Sequence, residues 1–213
     1  MNITYLSDDI LSMESKYRAS FINSLGGFKS VVLIGTINAN KQENLAIFSS
    51  LFHIGANPAL CGLIFRPISE PRHSLDNILE TKEYTINHLN KKIYKQAHQT
   101  SARYDKSISE FNATQLTAEY IPGIMAPFVK ESKIKFVCKL EQKIDLKING
   151  TTLLIGKIIY VSLPKKCIKT DGFIDIEKAG TITLSGLDAY HKTNKINRLS
   201  YAKPNSLIKN IPF

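Results

Sequence analysis

The stretch Asn44-Leu45-Ala46-Ile47-Phe48-Ser49-Ser50-Leu51-Phe52-His53 decides how we interpret the rest of the chain. It lies between two apolar runs and predicts a β-strand with one polar face. Two adjacent serines and an upstream asparagine place hydrogen-bonding groups beside Phe48 and Phe52, which suits a flat heteroaromatic ligand with carbonyls on one edge. A Ser-Ser pair in a strand is also typical of a β-bulge or a half-exposed pair, and these ten residues alone favour that structural interpretation.

The sequence around this stretch predicts more antiparallel strands. The β-branched apolar run 31–37 and the polar turn 38–43 form a hairpin with residues 44–53. After the turn signal Asn57-Pro58, the run 59–65 predicts a strand buried on both faces. Residues 84–89 predict another strand. Apolar and polar residues alternate over 134–141, which predicts a strand that the run 144–148 continues. Asn149-Gly150 predicts a type I′ turn, and residues 151–161 form the second strand of this hairpin. Together these strands suffice for a small antiparallel barrel.

Several helices are predicted around the strands. Apolar residues at spacings of three and four over 10–25 predict one amphipathic helix that packs on the sheet. Further helices are predicted over 74–82, 90–101 and 107–116. Residues 120–127 predict an irregular connection, and 175–180 and 186–191 predict short helical or irregular structure.

The start of the helix over 74–82 is a candidate anion site. Ser74 is a good N-cap, and helix starts present unpaired amide donors. Arg72 adds a fork of donors just upstream, so the segment forms a plausible monophosphate cradle. The alternative is that Ser74 only caps the helix and Arg72 only covers the surface, without an anion. The chain contains neither G-x-x-x-x-G-K-[ST] nor G-x-G-x-x-G, so no P-loop or Rossmann turn accounts for an anion.

Length and composition narrow the class of protein. The 213 residues, 43% of them hydrophobic, fit a single domain over 1–213 with a helical extension at 1–27 and a tail at 185–213. No secretory signal or membrane-length apolar run is present, and Cys61, Cys138 and Cys167 form no C-x-x-C. We therefore expect a cytoplasmic protein without membrane attachment. His88 and His98 lack a second ligand at metal spacing, so we expect no metal site.

The net charge of +10 raises the question of an anionic partner. The lysines are scattered rather than gathered in an arginine-rich stripe, and no nucleic-acid-binding motif is present. This distribution argues against nucleic-acid binding. A solvated basic surface with a small anionic ligand explains the charge better.

The order of the motifs resembles the flavin reductase-like, FMN-binding split-barrel family, in particular its flavoredoxin-like branch. The motifs that carry the resemblance are Asn-Leu-Ala-x-x-Ser-Ser from residue 44, Pro-Arg-His-Ser-Leu-x-Asn-Ile from residue 71, Tyr-Thr-Ile-Asn-His from residue 84, and later segments at 97–102, 185–190 and 201–204. Each motif is short, but their joint order is specific. The resemblance covers residues 16–204 and implies a mainly β fold with added helices, an antiparallel Greek-key split β-barrel of the FMN-binding type.

The resemblance also implies a homodimer with one FMN per subunit near the dimer interface. The implied cofactor-binding residues are Gly35, Thr36, Asn44, Ala46, Ser49, Ser50, Phe52, Arg72, His73 and Ser74. Tyr190 would face the substrate. Arg72-His73 stands where the family commonly has Lys-Asp, so the cation is kept and a carboxylate is replaced by imidazole.

The implied activity is an oxidoreductase in which NAD(P)H passes hydride to FMN, which then reduces an unknown acceptor. No catalytic side chain is needed, because the cofactor supplies the chemistry. Two alternatives stay open. One is a flavoredoxin-type electron carrier whose tightly bound FMN is reduced by a partner protein, and the other is a basic binding module without flavin.

Overall fold

The computed structural model describes residues 1–67 and 72–212, so part of the segment between the strand predicted at 59–65 and the helix predicted at 74–82 lies outside them. The helices are α1 Ser7–Ser12, α2 Ser15–Leu25, α3 His73–Thr81, α4 Tyr94–Gln99, α5 Glu110–Thr114 and α6 Ile176–Ala179, with a 3₁₀ turn at Lys165–Cys167. The first ten strands are β1 Lys29–Ser30, β2 Val32–Ile37, β3 Glu43–Phe48, β4 Leu51–Ala56, β5 Ala59–Phe65, β6 Glu83–His88, β7 Ala118–Glu119, β8 Phe128–Val129, β9 Lys135–Leu146 and β10 Thr151–Ser162. The last four are β11 Thr183–Ser185, β12 Ala189–His191, β13 Arg198–Leu199 and β14 Asn210–Ile211.

Seven strands form the main antiparallel sheet, in the order β3-β2-β6-β9-β10-β5-β4. Its two edge strands, β3 and β4, are consecutive in the chain and are separated only by Ser49 and Ser50. Because a two-residue connection spans only about 10 Å, the sheet must curl until its edges approach each other. No ladder joins β3 to β4 among the described residues, so the curled sheet stays open along this seam.

The predicted single strand over 44–53 is therefore two strands that belong to opposite edges. Leu45 pairs with Gly35 of β2, whereas Phe52 pairs with Gly62 of β5. The alternative of a bulge was closer to the structure, since the serine pair interrupts the strand. Ser50 fixes the crossing because its hydroxyl donates to the Ile64 carbonyl at 2.7 Å.

Strand β2 separates two apolar clusters, and all six of its residues are buried. Its inner face contributes Val32 and Ile34 to the barrel interior, where α3 adds Leu75 and Ile78. Its outer face contributes to a second cluster, built with α4, α5, β11 and the segment before β9. The buried members of this outer cluster are Val31, Leu33, Leu45, Leu89, Ile93, Ala97, Phe111, Leu116, Val129, Ile182 and Leu184. The period of two along a strand thus places neighbouring residues in different cores.

The strands at 59–65, 84–89, 134–148 and 151–161 are confirmed, with one correction to the last hairpin. Leu146 and Thr151 close a four-residue loop, in place of the predicted two-residue type I′ turn. Gly150, with φ 70°, is its left-handed residue. The Gly150 amide donates to the Leu146 carbonyl at 2.9 Å, which a two-residue turn would not allow.

Other predictions need correction. Residues 10–25 form two helices rather than one, because the Glu14 carboxylate accepts from the Tyr17 amide at 3.0 Å and starts α2 afresh. Neither helix has a fully buried residue, so neither contributes to the core beneath the sheet. The helices predicted over 90–101 and 107–116 are only six and five residues long. Residues 189–191 form a strand with β11. Within the described ranges, each helix is too short or too polar to cross a bilayer.

Candidate functional site

A buried network of polar side chains joins the start of α3 to β2 and β3. Thr36 and Asn44 are cross-strand partners on the inner face of the sheet. The Asn44 amide donates to the Ser74 hydroxyl at 2.8 Å and to the Thr36 hydroxyl at 3.3 Å. The Asn77 amide also donates to Thr36, at 3.1 Å. All four side chains are less than 9% exposed, so their mutual bonds fix the first turn of α3 against the sheet.

The first turn of α3 presents free backbone donors. The first helical bond runs from the Asp76 amide to the Arg72 carbonyl at 2.9 Å, so the amides of residues 73–75 have no partner within the helix. Arg72 is the N-cap residue and makes no side-chain cap. Ser74 lies inside the first turn, so its predicted role as N-cap is wrong. Its hydroxyl serves the buried network instead, and the helix start keeps its donors and its partial positive charge.

Arg72 brings a cation to this helix start. Its Nη2 donates to the Pro67 carbonyl at 2.9 Å, which holds the half-buried side chain in place. Its Nε is buried and has no hydrogen-bond partner in the part of the chain that the structure describes. Buried donors are almost always satisfied in folded proteins, so this one points to an acceptor outside the described residues.

A shallow polar cleft opens beside the helix start. His73, Asn44 and Asn77 line it from one side, and Lys106 and Ile108 line it from the segment before α5. His73 therefore lies at the wall of a polar cleft that Lys106 also lines.

The outer edge of β3 carries further backbone donors. The Leu45 amide points away from β2 and donates to the Glu110 carboxylate at 3.0 Å. Burial raises the pKa of Glu110, although this amide and the charge of His73 act to lower it. Because strands repeat every two residues, the Ile47 amide points to the same side, toward the open seam. The edge of β3 thus offers backbone N–H groups where no neighbouring strand lies.

The other residues predicted along the seam have separate positions. Ala46 is half-buried on the inner face, two residues after Asn44, and Ser49 is half-buried at the end of β3. The Phe52 ring lies over Gly62, where a β-carbon would come within 2.3 Å of the ring. Phe52 is 42% exposed, so it covers its glycine partner and presents its other side outward.

Gly35 and Tyr190 lie on the outer face of β2 and β3, opposite the buried network. A β-carbon at Gly35 would be 2.2 Å from the Pro127 carbonyl oxygen and 2.5 Å from the Thr85 hydroxyl. Close packing therefore explains this glycine. The Tyr190 hydroxyl is 2.9 Å from His98 Nδ1, and its ring packs on the outer cluster. Burial raises the pKa of Tyr190 to about 12.

The structure thus brings together Thr36, Asn44, Arg72, His73 and Ser74, with Ala46 beside them and Ser49, Ser50 and Phe52 farther along the seam. Sequence reasoning missed three contributors to this region. Asn77 had a local signal, because it falls one helical turn after Ser74. Glu110 and Lys106 had no local signal, since they reach the site from a segment that lies 58 or more residues beyond the end of β3.

Comparisons with known proteins agree with this geometry. The family model of the flavin reductase like domain matches residues 25–173. A split-barrel structure from Shewanella frigidimarina NCIMB 400, assigned as a flavin reductase, is 51% identical, with a TM-score of 0.91 over 94% of this chain and 100% of its own. Nitrilotriacetate monooxygenase component B from Bacillus cereus is 22% identical, with a TM-score of 0.80 over 93% of this chain and 100% of its own. Flavoredoxin of Desulfovibrio vulgaris (Miyazaki F) is 19% identical, with a TM-score of 0.69 over 84% of this chain and 92% of its own. The last two show a shared fold.

Proposed function

The chain belongs to the flavin reductase like domain family, and we propose that it is an FMN-dependent oxidoreductase that takes hydride from NAD(P)H. The resemblance inferred from the motif order and the split-barrel fold are confirmed. One observation carries the choice of a flavin monophosphate. Among the described residues, the buried Arg72 Nε has no acceptor, and it lies at a helix start whose first amides have no partner within the helix; a single phosphate group would satisfy both.

The residues fit FMN in three ways. Arg72 and the amides of residues 73–75 would hold the phosphate, and the network of Asn44, Ser74 and Thr36 would keep the helix start in register with the sheet. The free edge of β3 would turn backbone N–H groups, such as that of Ile47, toward the carbonyl edge of the ring. The bound flavin itself supplies the hydride-accepting chemistry. Negative charge that develops on the reduced ring would then meet fixed donors, whose orientation requires no rearrangement.

We assign no catalytic acid or base. Hydride transfer requires no proton from a side chain, and the buried carboxyl group nearest the β3 edge, Glu110, is already bound to the Leu45 amide. The protein's part in the reaction is thus to position the cofactor and to shape its electrostatic surroundings.

Exposed apolar side chains support the proposal of a homodimer. On the edge strand β4, Phe52 and Ile54 are 42% and 40% exposed, and on β10, Ile159 and Val161 are 45% and 50% exposed. Large exposed apolar surfaces of this kind mark interaction sites. Self-association through β4 and β10 would cover them and would bring a second subunit to the seam beside Phe52.

Absorbance and anaerobic titration test the function. We expect the purified protein, after mixing with FMN and gel filtration, to retain visible flavin absorbance, and we expect NADH or NADPH to bleach it without oxygen. Retained flavin that neither nucleotide bleaches would favour the electron carrier. Failure to retain or titrate FMN would contradict flavin binding and leave a basic binding module. Light scattering during gel filtration measures the mass and tests the dimer.

A further inference from the structure

A second cavity lies at the end of β6, away from the start of α3. Its walls are the residues that follow β6, the segment before β9, the connection from α6 to β11, and the residues that follow β12. The cavity has a volume of about 550 Å³. Pockets for small molecules range from roughly 300 to 1,000 Å³, so this one has the size of a ligand site.

Four lysines surround this cavity: Lys91, Lys92, Lys133 and Lys192. None of their ammonium groups makes an ion pair or hydrogen bond with another residue in the described part of the chain. The Lys133 ammonium reaches over Gly180, 3.9 Å from the point where a β-carbon would stand there. Four unpaired cations around one concave surface create a field that attracts anions.

Two glutamates also line the cavity, and both carboxylates are bound elsewhere. Glu131 accepts from the Thr117 amide at 3.2 and 3.3 Å through its two oxygens. Glu177 accepts from the Lys195 amide at 3.0 Å. Four lysines and two glutamates leave a net charge of +2 on the lining.

The walls of the cavity are held in place by hydrogen bonds. The Asn90 side chain donates to the Glu131 carbonyl at 3.0 Å and accepts from the Lys92 amide at 2.9 Å. Across the cavity, the Ile182 amide donates to the Leu89 carbonyl at 3.1 Å. Ile93 and Ile182, only 3% and 6% exposed, close the base of the cavity. The cavity therefore combines fixed walls with a cationic rim.

We propose that this cavity binds a small polyanion, whose anionic groups contact the lysines. Lysine is a common ligand of phosphate and carboxylate. Two kinds of molecule share this chemistry: the phosphate-bearing half of an adenine nucleotide and an aromatic dicarboxylic acid. The proposal stands independently of flavin binding.

Isothermal titration calorimetry with two probes tests it. The probes are 2′,5′-ADP and phthalate, titrated into the full chain with and without added FMN. The test variant carries Lys133→Gln and Lys192→Gln, and the matched control carries Lys147→Gln and Lys166→Gln, which removes two exposed lysines that do not line the cavity. We expect at least one probe to bind, about tenfold more weakly to the test variant and within about twofold of wild type to the control.

Each result of the titrations either supports or contradicts anion binding in this cavity. Preference for 2′,5′-ADP would identify a nucleotide site, and preference for phthalate would identify a site for organic acids. Absence of heat with both probes at millimolar concentration, or equal weakening in both variants, would overturn the proposal. FMN affinity, measured separately by fluorescence quenching, should be the same in both variants. Loss of FMN binding in every sample would contradict the proposed function and leave this cavity untouched.

Discussion

Replacing Arg72 with glutamine removes the cation from the start of α3 and isolates its role. The folded protein should lose little stability, because within residues 1–67 and 72–212 the side chain makes a single hydrogen bond, to the Pro67 carbonyl. One such bond contributes about 0.5–1.5 kcal/mol, and partial exposure places this one at the lower end. A phosphate, by contrast, would accept charge-assisted bonds from the guanidinium, and each is worth about 1.5–3 kcal/mol. The expected loss of FMN affinity is therefore about 10- to 150-fold.

The matched control is Arg18→Gln. Arg18 also donates to a backbone carbonyl, that of Leu11 at 2.6 Å, but it lies in α2. FMN affinity is measured by fluorescence quenching, and stability by urea unfolding followed by circular dichroism. Arg72→Lys should give an intermediate affinity, because it keeps the charge and loses the planar fork. Equal FMN affinity in wild type, Arg72→Gln and Arg18→Gln would refute the phosphate assignment.

Three further substitutions test neighbouring features. Gly35→Ala should lower the free energy of unfolding in urea by about 3 kcal/mol or more, because the added β-carbon would overlap backbone atoms. The control Gly55→Ala, whose β-carbon would have its nearest contact at 3.5 Å, should cost less than about 1 kcal/mol. Equal losses in the two variants would contradict the packing role of Gly35. Ser50→Ala should cost about 1 kcal/mol by removing the bond to Ile64, and it should leave FMN affinity unchanged, because the proposed ring contacts are backbone amides. Burial lowers the pKa of His88 to about 4. Between about pH 6.5 and pH 4, the unfolded chain binds a proton on His88 that the folded protein does not, so stability should fall as pH drops across this window by at most about 3 kcal/mol. His88→Asn should remove this contribution. Unfolding of both proteins at pH 7 and at pH 4.5 measures the difference.

Local patterns predicted the strands well but not their neighbours. The alternation over 134–141 and the apolar run at 59–65 gave nearly correct bounds, because burial of a strand face imposes a period of two. The period breaks between Phe48 and Leu51, which are three residues apart and both pack against the inner cluster, although they lie in strands at opposite edges of the sheet. A hydrophobic pattern records which face is buried, and it does not record which strand pairs with which. The break at Ser49-Ser50 was therefore visible only as a polar interruption.

The sequence likewise predicted some residues of the candidate site and could not predict how others are placed. Arg72 and Ser74 were found together from the predicted helix start, and His73 and Asn44 came from the motif order that indicated the family. The motif order could not assign faces. Gly35 is next to Thr36 in the chain, yet it packs against the Pro127 carbonyl while Thr36 joins the inner network. Whether a role implied by the family applies to a strand residue therefore depends on which face of the sheet the residue occupies as well as on its identity.

The open seam itself follows from how its two edges are occupied. A pair of free strand edges this close in the chain would ordinarily pair with each other, since unpaired amides and carbonyls are costly when buried. Here the Glu110 carboxylate takes the Leu45 amide, and the start of α3 is bonded to the inner face of β3 through Asn44 and Ser74. Both contacts come from elements outside the sheet, so they hold β3 away from β4 without completing the ladder. On our proposal, the remaining donors along β3 and the Arg72 guanidinium would together meet one ligand that has carbonyl groups at one end and an anion at the other.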